Sequence, residues 1–391
     1  MTATFAGLWA EIAPIGRDDD GGYHRFALSE PESILRDWFR NQADERDMVV
    51  TDDGNGNLFA WWGEPWGHGA VLTGSHFDSV PGGGGYDGAL GIVSAFLAID
   101  RLRADGMAPA RPVAVAAFVE EEGARFGVPC LGSRLLTGAI EPDRAAALRD
   151  SDGVSFGTAL GARPAGALPD LVGRISAAVE LHIEQGRALA VPVGVASAIW
   201  PHGRWRFDFT GDGDHAGTTR MADRHDPMLT FAYTVLAANK EARLSGAHAT
   251  MGRVAVQPNA TNAIPSSVRA WLDARAADAS TLDRLVEAIV KRAVDRAGRD
   301  GTQVVVEPES VSPEVAFDTG LARRLTALLG DVPILPTGAG HDAGVLSEHV
   351  PTAMLFVRNP TGVSHAAAEH ASDADCEAGI DALARVLAEL T

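Results

Sequence analysis

The sequence predicts an α/β protein, a mostly parallel sheet flanked by helices with an inserted α+β two-layer sandwich. Three observations predict it. In the first half, short apolar runs alternate with amphipathic stretches such as Leu90–Arg103, the rhythm of strands joined by crossover helices. From about Trp205 the texture changes to half-exposed alternation, the period of strands wet on one face. At Leu321 the first pattern resumes and continues to the end.

Taken in order, Gly69–Gly74 and Pro112–Val119 are apolar runs read as buried strands. Polar motifs follow each directly, Ser75-His76-Phe77-Asp78 after the first and Glu120-Glu121-Glu122-Gly123 after the second. Ligands bind at the carboxyl ends of strands in open α/β sheets, so the placement of these motifs is informative. The segment Pro81-Gly-Gly-Gly-Gly-Tyr-Asp-Gly has neither the Gly-Lys-Ser/Thr of a phosphate loop nor the dinucleotide spacing. Its glycines instead let the backbone curl so that Asp87 points back toward His76. Further on, Arg206–Thr210, Met251–Val256 and Val268–Arg275 alternate as strands, helical stretches fall near 225–243 and 280–298, and Gln303–Glu309 closes the set. That strand-helix-strand-strand-helix-strand order predicts a small sandwich over 205–317, inserted into a larger domain formed by 1–204 and 318–391. Leu321–Leu329, the apolar run Ala353–Val357 and a final helix over Asp375–Leu390 complete the larger domain.

Hydrophobic residues make up 46% of the 391, enough to bury a large core in two domains. No apolar run approaches the roughly 18 residues that cross a bilayer, and the opening residues lack a basic leader pattern. A cytoplasmic protein is expected. Two cysteines, Cys130 and Cys376, are too few and too far apart for a disulfide framework or a thiolate zinc site. The formal charge of −19 repels phosphate at long range, which argues against nucleic acid or an anionic membrane as partner. An anionic substrate then needs a local arginine.

Four motifs carry chemistry, each modest alone. His76-Phe77-Asp78 with Asp87 could be a histidine and two carboxylates around one site, or simply turns. Three carboxylates in a row at Glu120–Glu122 need a cation or solvent, and a solvated helix start would also explain them. Adjacent carboxylates suit hydrolysis, since one can bind a metal while its neighbour takes a proton. His182 lies between apolar neighbours on a strand whose polar flanks alternate to its own face. Ser364-His365 follows Phe356–Gly362. Their joint occurrence calls for one explanation.

In order along the chain stand GSHFDSVPGGGGYDGALG, EEEGARF, ELHIEQG, HAGTT, PNATNAIP, LDAR, GAGHDA and GVSH. In these motifs the sequence closely resembles the N-carbamoyl-L-amino acid hydrolase and allantoate amidohydrolase group, relatives of the di-zinc aminopeptidases, over nearly its whole length. The resemblance implies a di-zinc aminopeptidase-like catalytic domain whose insertion serves as lid and dimerisation domain. It implies two divalent metal ions, zinc foremost with manganese, cobalt and nickel open. His76 and His182 would hold one, Glu122 and His365 the other, and Asp87 would bridge them. Asp78 would hydrogen-bond the far nitrogen of His76, and Glu121 would be the general base.

For the substrate the resemblance implies Gln185, His215, Asn262 and Arg275 as contacts, with Gly340 and His341 near the site. Arg275 is the natural partner of a carboxylate, which a guanidinium can grip through two hydrogen bonds, although an ion pair with Asp273 would also account for it. His215 would stabilise the oxyanion. Domain closure and a homodimer through the insertion follow from the same resemblance, leaving open whether His215 and Asn262 act in cis or in trans. Arg220 stands where the group commonly has proline, and Ala366-Ala367 where it has Asn-Pro; neither change removes a ligand. The expected activity is hydrolysis of a ureido or N-carbamoyl C–N bond in a small carboxylate, allantoate or an N-carbamoyl amino acid. The rivals are a two-metal dipeptidase or aminoacylase and a metal-stabilised binding protein without catalysis.

Overall fold

A computed structural model describes residues 3–391. The chain forms two units, one of residues up to Ile199 together with Ala316–Thr391, the other Trp200–Val315. No helix among the described residues is long and apolar enough to cross a membrane.

In the larger unit the sheet runs Val49–Asp52, Leu58–Trp62, Val113–Phe118, Ala70–His76, Ile175–Ile183, Thr352–Val357, Val193–Ile199. The four strands from Val113–Phe118 to Thr352–Val357 pair in parallel, whereas the strands flanking them pair antiparallel. Residues 113–118, 70–76 and 352–357 are buried throughout, as continuous apolar runs in a two-sided sheet must be. Helices Ala89–Ala104 and Asp373–Leu390 pack together over one face and share a core with Phe39, Val71, Val179 and Leu355. Helix Ala89–Ala104 is buried from Ala89 to Ile99 without a polar face. Each Leu, Ile, Val or Phe so enclosed contributes about 1.5–3 kcal/mol, which makes this layer the rigid floor from which the strand ends project.

The smaller unit is a four-stranded antiparallel sheet, Gln303–Ser312, His202–Thr210, Ser267–Arg275 and His248–Gln257, with helices Pro227–Ser245 and Ala279–Asp300. The strand-helix-strand-strand-helix-strand order matches the sequence expectation. Burial alternates along His202–Thr210, so Trp205, Phe207 and Phe209 face the core formed with Leu282, Leu285 and Ile289. The opposite face carries the ion pairs of Asp208 with Arg206 and Arg269.

Candidate active site

The site lies at the carboxyl ends of the parallel strands. Pairing sets His76 beside Phe118, Gly74 beside Glu180 and Phe356 beside His182. The same register brings the His76 and His182 rings together, 5.9 Å between centroids and 27° from parallel. Both are fully buried. Asp87 reaches them from the glycine loop, its Oδ1 3.5 Å from His76 Nε2 and 3.1 Å from His182 Nε2. Its Oδ2 lies 3.4 Å from Nε2 of His365, which is 3.4 Å from Glu122 Oε2. One carboxylate therefore belongs to two clusters, His76–Asp87–His182 and Asp87–Glu122–His365. The loop closes this far because residue 88 is glycine: it has φ 68°, and a Cβ there would lie 2.5 Å from the His76 ring.

These donors fit metal ions. Two atoms each ~2.0–2.1 Å from a tetrahedral ion stand about 3.3 Å apart, close to the four separations above. His76 Nε2, Asp87 Oδ1 and Glu122 Oε1 are buried without a hydrogen-bond partner, a costly arrangement that a cation relieves. Electrostatics point the same way. Burial raises the Glu121 carboxyl well above its ordinary value, with Asp342, Glu122 and Asp78 adding to the rise against His76. Burial and then the Asp87 charge push Glu122 up to about 7. Burial alone would raise Asp87, but contacts with His182, His365 and His76 hold it well below the usual carboxylate range. The hydrogen bond to Asp87 is the first cause that lifts His365 to about 9. So many buried carboxylates are stable as anions only beside positive charge.

The expected role of Asp78 needs correction. His76 Nδ1 donates to the backbone carbonyl of Asp78 at 2.9 Å, while the Asp78 carboxylate is 3.7 Å away. That carboxylate instead accepts from the backbone N–H groups of Glu121 and Glu122, at 3.1 Å each. Glu120, at φ 55°, reverses the chain just past the strand and turns the next two N–H groups toward Asp78. The helix start considered for Glu120–Glu122 is likewise absent, for the segment is a turn and the helix begins at Leu131. Glu120 folds back to accept from the N–H groups of Arg125 and Phe126.

Glu121 belongs to neither cluster. Its Oε2 is 3.7 Å from His76 Nε2, and its Oε1 accepts from the Cys130 thiol at 3.6 Å. Cys376 is buried elsewhere. Gln185, expected at the substrate, donates to Asp87 Oδ2 at 2.8 Å. His341 is buried with no partner at either ring nitrogen, its centroid 4.5 Å from that of His182. Burial and then His182 lower it far below the usual histidine value, so its ring is neutral. Gly340, beside it, is exposed.

In the smaller unit, pairing of Asp214–His215 with Ala263–Ile264 brings His215 next to Asn262, whose carbonyl accepts from Ala216 N–H at 2.9 Å. Nδ1 of the exposed His215 accepts from Gly217 N–H at 3.0 Å. Arg275 donates from Nε and one terminal nitrogen to the two oxygens of Asp273, at 2.9 and 3.2 Å. Arg220 is exposed and paired with Asp223. Two carboxylates were missed in the sequence. Glu180 accepts from Ser75 Oγ and Ala343 N–H, and strand alternation had already set it on the face of His182. Glu369 accepts from the backbone of the Asp87 loop; it stands where the Ser-His-Asn-Pro-Ala-Glu ending of the resembled group has its glutamate, a likeness that carried no role for it.

Residues 72–389 match the model of "Peptidase family M20/M25/M40". The chain is 34% identical to an N-carbamoyl-L-amino acid amidohydrolase of Geobacillus stearothermophilus, covering 96% of each. It is 32% identical to an allantoate amidohydrolase of Escherichia coli, covering 97% of this chain and 95% of that one. Among solved structures, an amidase of the hydantoinase/carbamoylase family from Burkholderia vietnamiensis superposes with a TM-score of 0.89 at 30% identity, over 100% of this chain and 98% of that one. The chain belongs to peptidase family M20/M25/M40, in the branch of the hydantoinase/carbamoylase amidases.

Proposed function

We propose that this chain is a binuclear-metal amidohydrolase cleaving the ureido or N-carbamoyl C–N bond of a small carboxylate-bearing substrate, allantoate or an N-carbamoyl-L-amino acid. The observation that carries the proposal is Asp87 divided between two ligand clusters, with the carboxylate of Glu121 beside them and outside both. The relatives' names support the substrate class.

Bound divalent ions, held by His76, His182 and Asp87 and by Asp87, Glu122 and His365, would supply Lewis acidity that acidifies a water and polarises the scissile carbonyl. Glu121 takes the proton of the attacking water and returns it to the leaving nitrogen. Burial suits it for this by making it a stronger base than an exposed carboxylate. The grip of Asp78 on the Glu121 and Glu122 amides keeps base and ligand in one frame. Because Nδ1 of His215 accepts a hydrogen bond, its proton sits on Nε2, a donor suited to a developing oxyanion and worth ~10²–10³ in rate. Arg275 is assigned to the substrate carboxylate. Its side chain is about one-third exposed while it pairs with Asp273, and that pair fixes the plane of the guanidinium. Asn262, Gln185, His341 and Gly340 complete the proposed contacts.

A homodimer through the smaller unit belongs to the same proposal. Leu229, Leu236 and Leu244 are half or more exposed along helix Pro227–Ser245, and His248–Gln257 is an edge strand; covering such surfaces is what dimers do. Both cysteines are free, in keeping with a reducing cytoplasm.

The test is ammonia and amino-acid release by metal-reconstituted protein from allantoate and a panel of N-carbamoyl-L-amino acids, against dipeptides, N-acetyl amino acids and an EDTA-stripped control. Metal-dependent turnover of a ureido substrate is expected. Turnover confined to dipeptides or N-acetyl amino acids would replace the proposal with a peptidase or aminoacylase, and inert metal-loaded protein would leave a binding role.

A further inference from the structure

We propose that Glu369 is a positioning residue that clasps the Asp87 loop to the His365 segment, so that the two halves of the metal centre form as one unit. The inference rests on the binuclear centre proposed above and concerns what holds its shared ligand in place.

Glu369 is four residues past His365 and only 5% exposed. Its backbone N–H donates to the Ala366 carbonyl at 3.0 Å, a turn that brings the chain back toward the centre. From there Oε1 accepts from two successive backbone N–H groups, those of Tyr86 at 3.0 Å and Asp87 at 2.9 Å. Two donors from adjacent residues aimed at one charged oxygen fix the peptide from which the Asp87 side chain leaves. Asp87 is the residue common to both clusters, so its backbone position sets both at once. An error of ~1 Å there is of the size that costs about 10²-fold in function.

The glycine loop is shaped around this contact. A Cβ on Gly84 would lie 2.2 Å from Glu369 Oε1, 2.3 Å from Cδ and 2.5 Å from Cβ. The carboxylate therefore rests directly on the loop backbone, and any side chain at residue 84 must expel it. Its other oxygen, Oε2, is buried without a hydrogen-bond partner, so the Oε1 contacts and the fit over Gly84 determine where the group sits. A glutamine whose carbonyl takes the place of Oε1 keeps both accepted hydrogen bonds, and an alanine keeps neither.

The experiment uses the full chain, stripped of metal, as wild type, Glu369→Gln, Glu369→Ala and Gly84→Ala. Zn²⁺ is titrated against a chromophoric chelator for stoichiometry and affinity, the Co²⁺ absorption spectrum reports ligand geometry, and melting of the metal-free protein reports the fold. Loss of such an outer partner costs ~10- to 100-fold in metal affinity. Glu369→Ala is expected to weaken both ions by that amount and alter the Co²⁺ spectrum, with Gly84→Ala behaving alike and Glu369→Gln staying within about threefold of wild type. Wild-type affinity in Glu369→Ala, weakening at one cluster alone, or Glu369→Gln as defective as Glu369→Ala would overturn the clasp. If Glu369→Ala fails to fold, Gly84→Ala decides, because wild-type affinity there overturns the proposal by itself. Wild-type protein that takes up fewer than two ions would refute the binuclear centre directly, before any variant is compared.

Discussion

Asp78→Asn separates two accounts of how the centre is held. The Asp78 carboxylate gives one oxygen to the Glu121 N–H and the other to the Glu122 N–H, at 3.1 Å each. Asparagine retains one acceptor and presents an NH₂ group to the second donor, leaving that buried N–H unpaired. An orphaned buried donor costs about 1–3 kcal/mol, and the loss of charge from the surviving bond adds to it, so global stability should fall by roughly 2–4 kcal/mol. The contact that orients His76 runs to the Asp78 backbone carbonyl at 2.9 Å, which the substitution leaves intact. The ion at His76 and His182 should therefore keep near-normal affinity, while the ion at Glu122 and His365 weakens and turnover drops about 10²-fold as Glu121 and Glu122 shift by ~1 Å. Urea unfolding gives the stability and chelator competition resolves the two affinities. Unchanged stability, or weakening confined to the His76 ion, would refute this account and restore a carboxylate-to-imidazole role for Asp78.

Three further outcomes follow from the same geometry. Glu121→Gln should bind metal with wild-type stoichiometry and lose ~10²–10⁴ in kcat, whereas full activity in steady-state assays would remove Glu121 as the base. Gly88→Ala must place a Cβ 2.5 Å from the His76 ring at φ 68° and ψ −57°; about 1–3 kcal/mol of backbone strain and 1–3 of overpacking are expected, with impaired metal uptake by titration, and normal uptake would contradict the need for glycine there. In metal-free protein, burial raises Glu120 and Asp342 to about 8 and Glu122 and Glu369 to about 7. The folded state then holds these protons more tightly than the unfolded chain, so their stabilisation is full below the ordinary carboxyl values of ~4 and is lost as pH rises through 7 to 8. Thermal melts of EDTA-stripped protein should fall over that window and metal should flatten the decline; a metal-free Tm that rises with pH would oppose this.

What the sequence by itself determined was set by local pattern and residue type. Apolar runs such as Pro112–Val119 mark buried strands because a two-sided sheet accepts little else, and alternation along Arg206–Thr210 marks a strand wet on one face. Motifs directly after strands placed His76 and Glu120–Glu122 where α/β sheets bind ligands, and motif likeness, rather than periodicity, supplied the proposed ligand set. Tertiary structure alone decided how those parts meet. His76 and His182 come together because strands more than 100 residues apart pair in one register, a long-range choice invisible to a local window. Asp78 turns from imidazole to backbone amides because Glu120 adopts a left-handed conformation, and Glu369 reaches the Asp87 loop across 282 residues. Backbone N–H directions depend on the path of the packed chain, so the residues that satisfy them emerge only once the chain is folded.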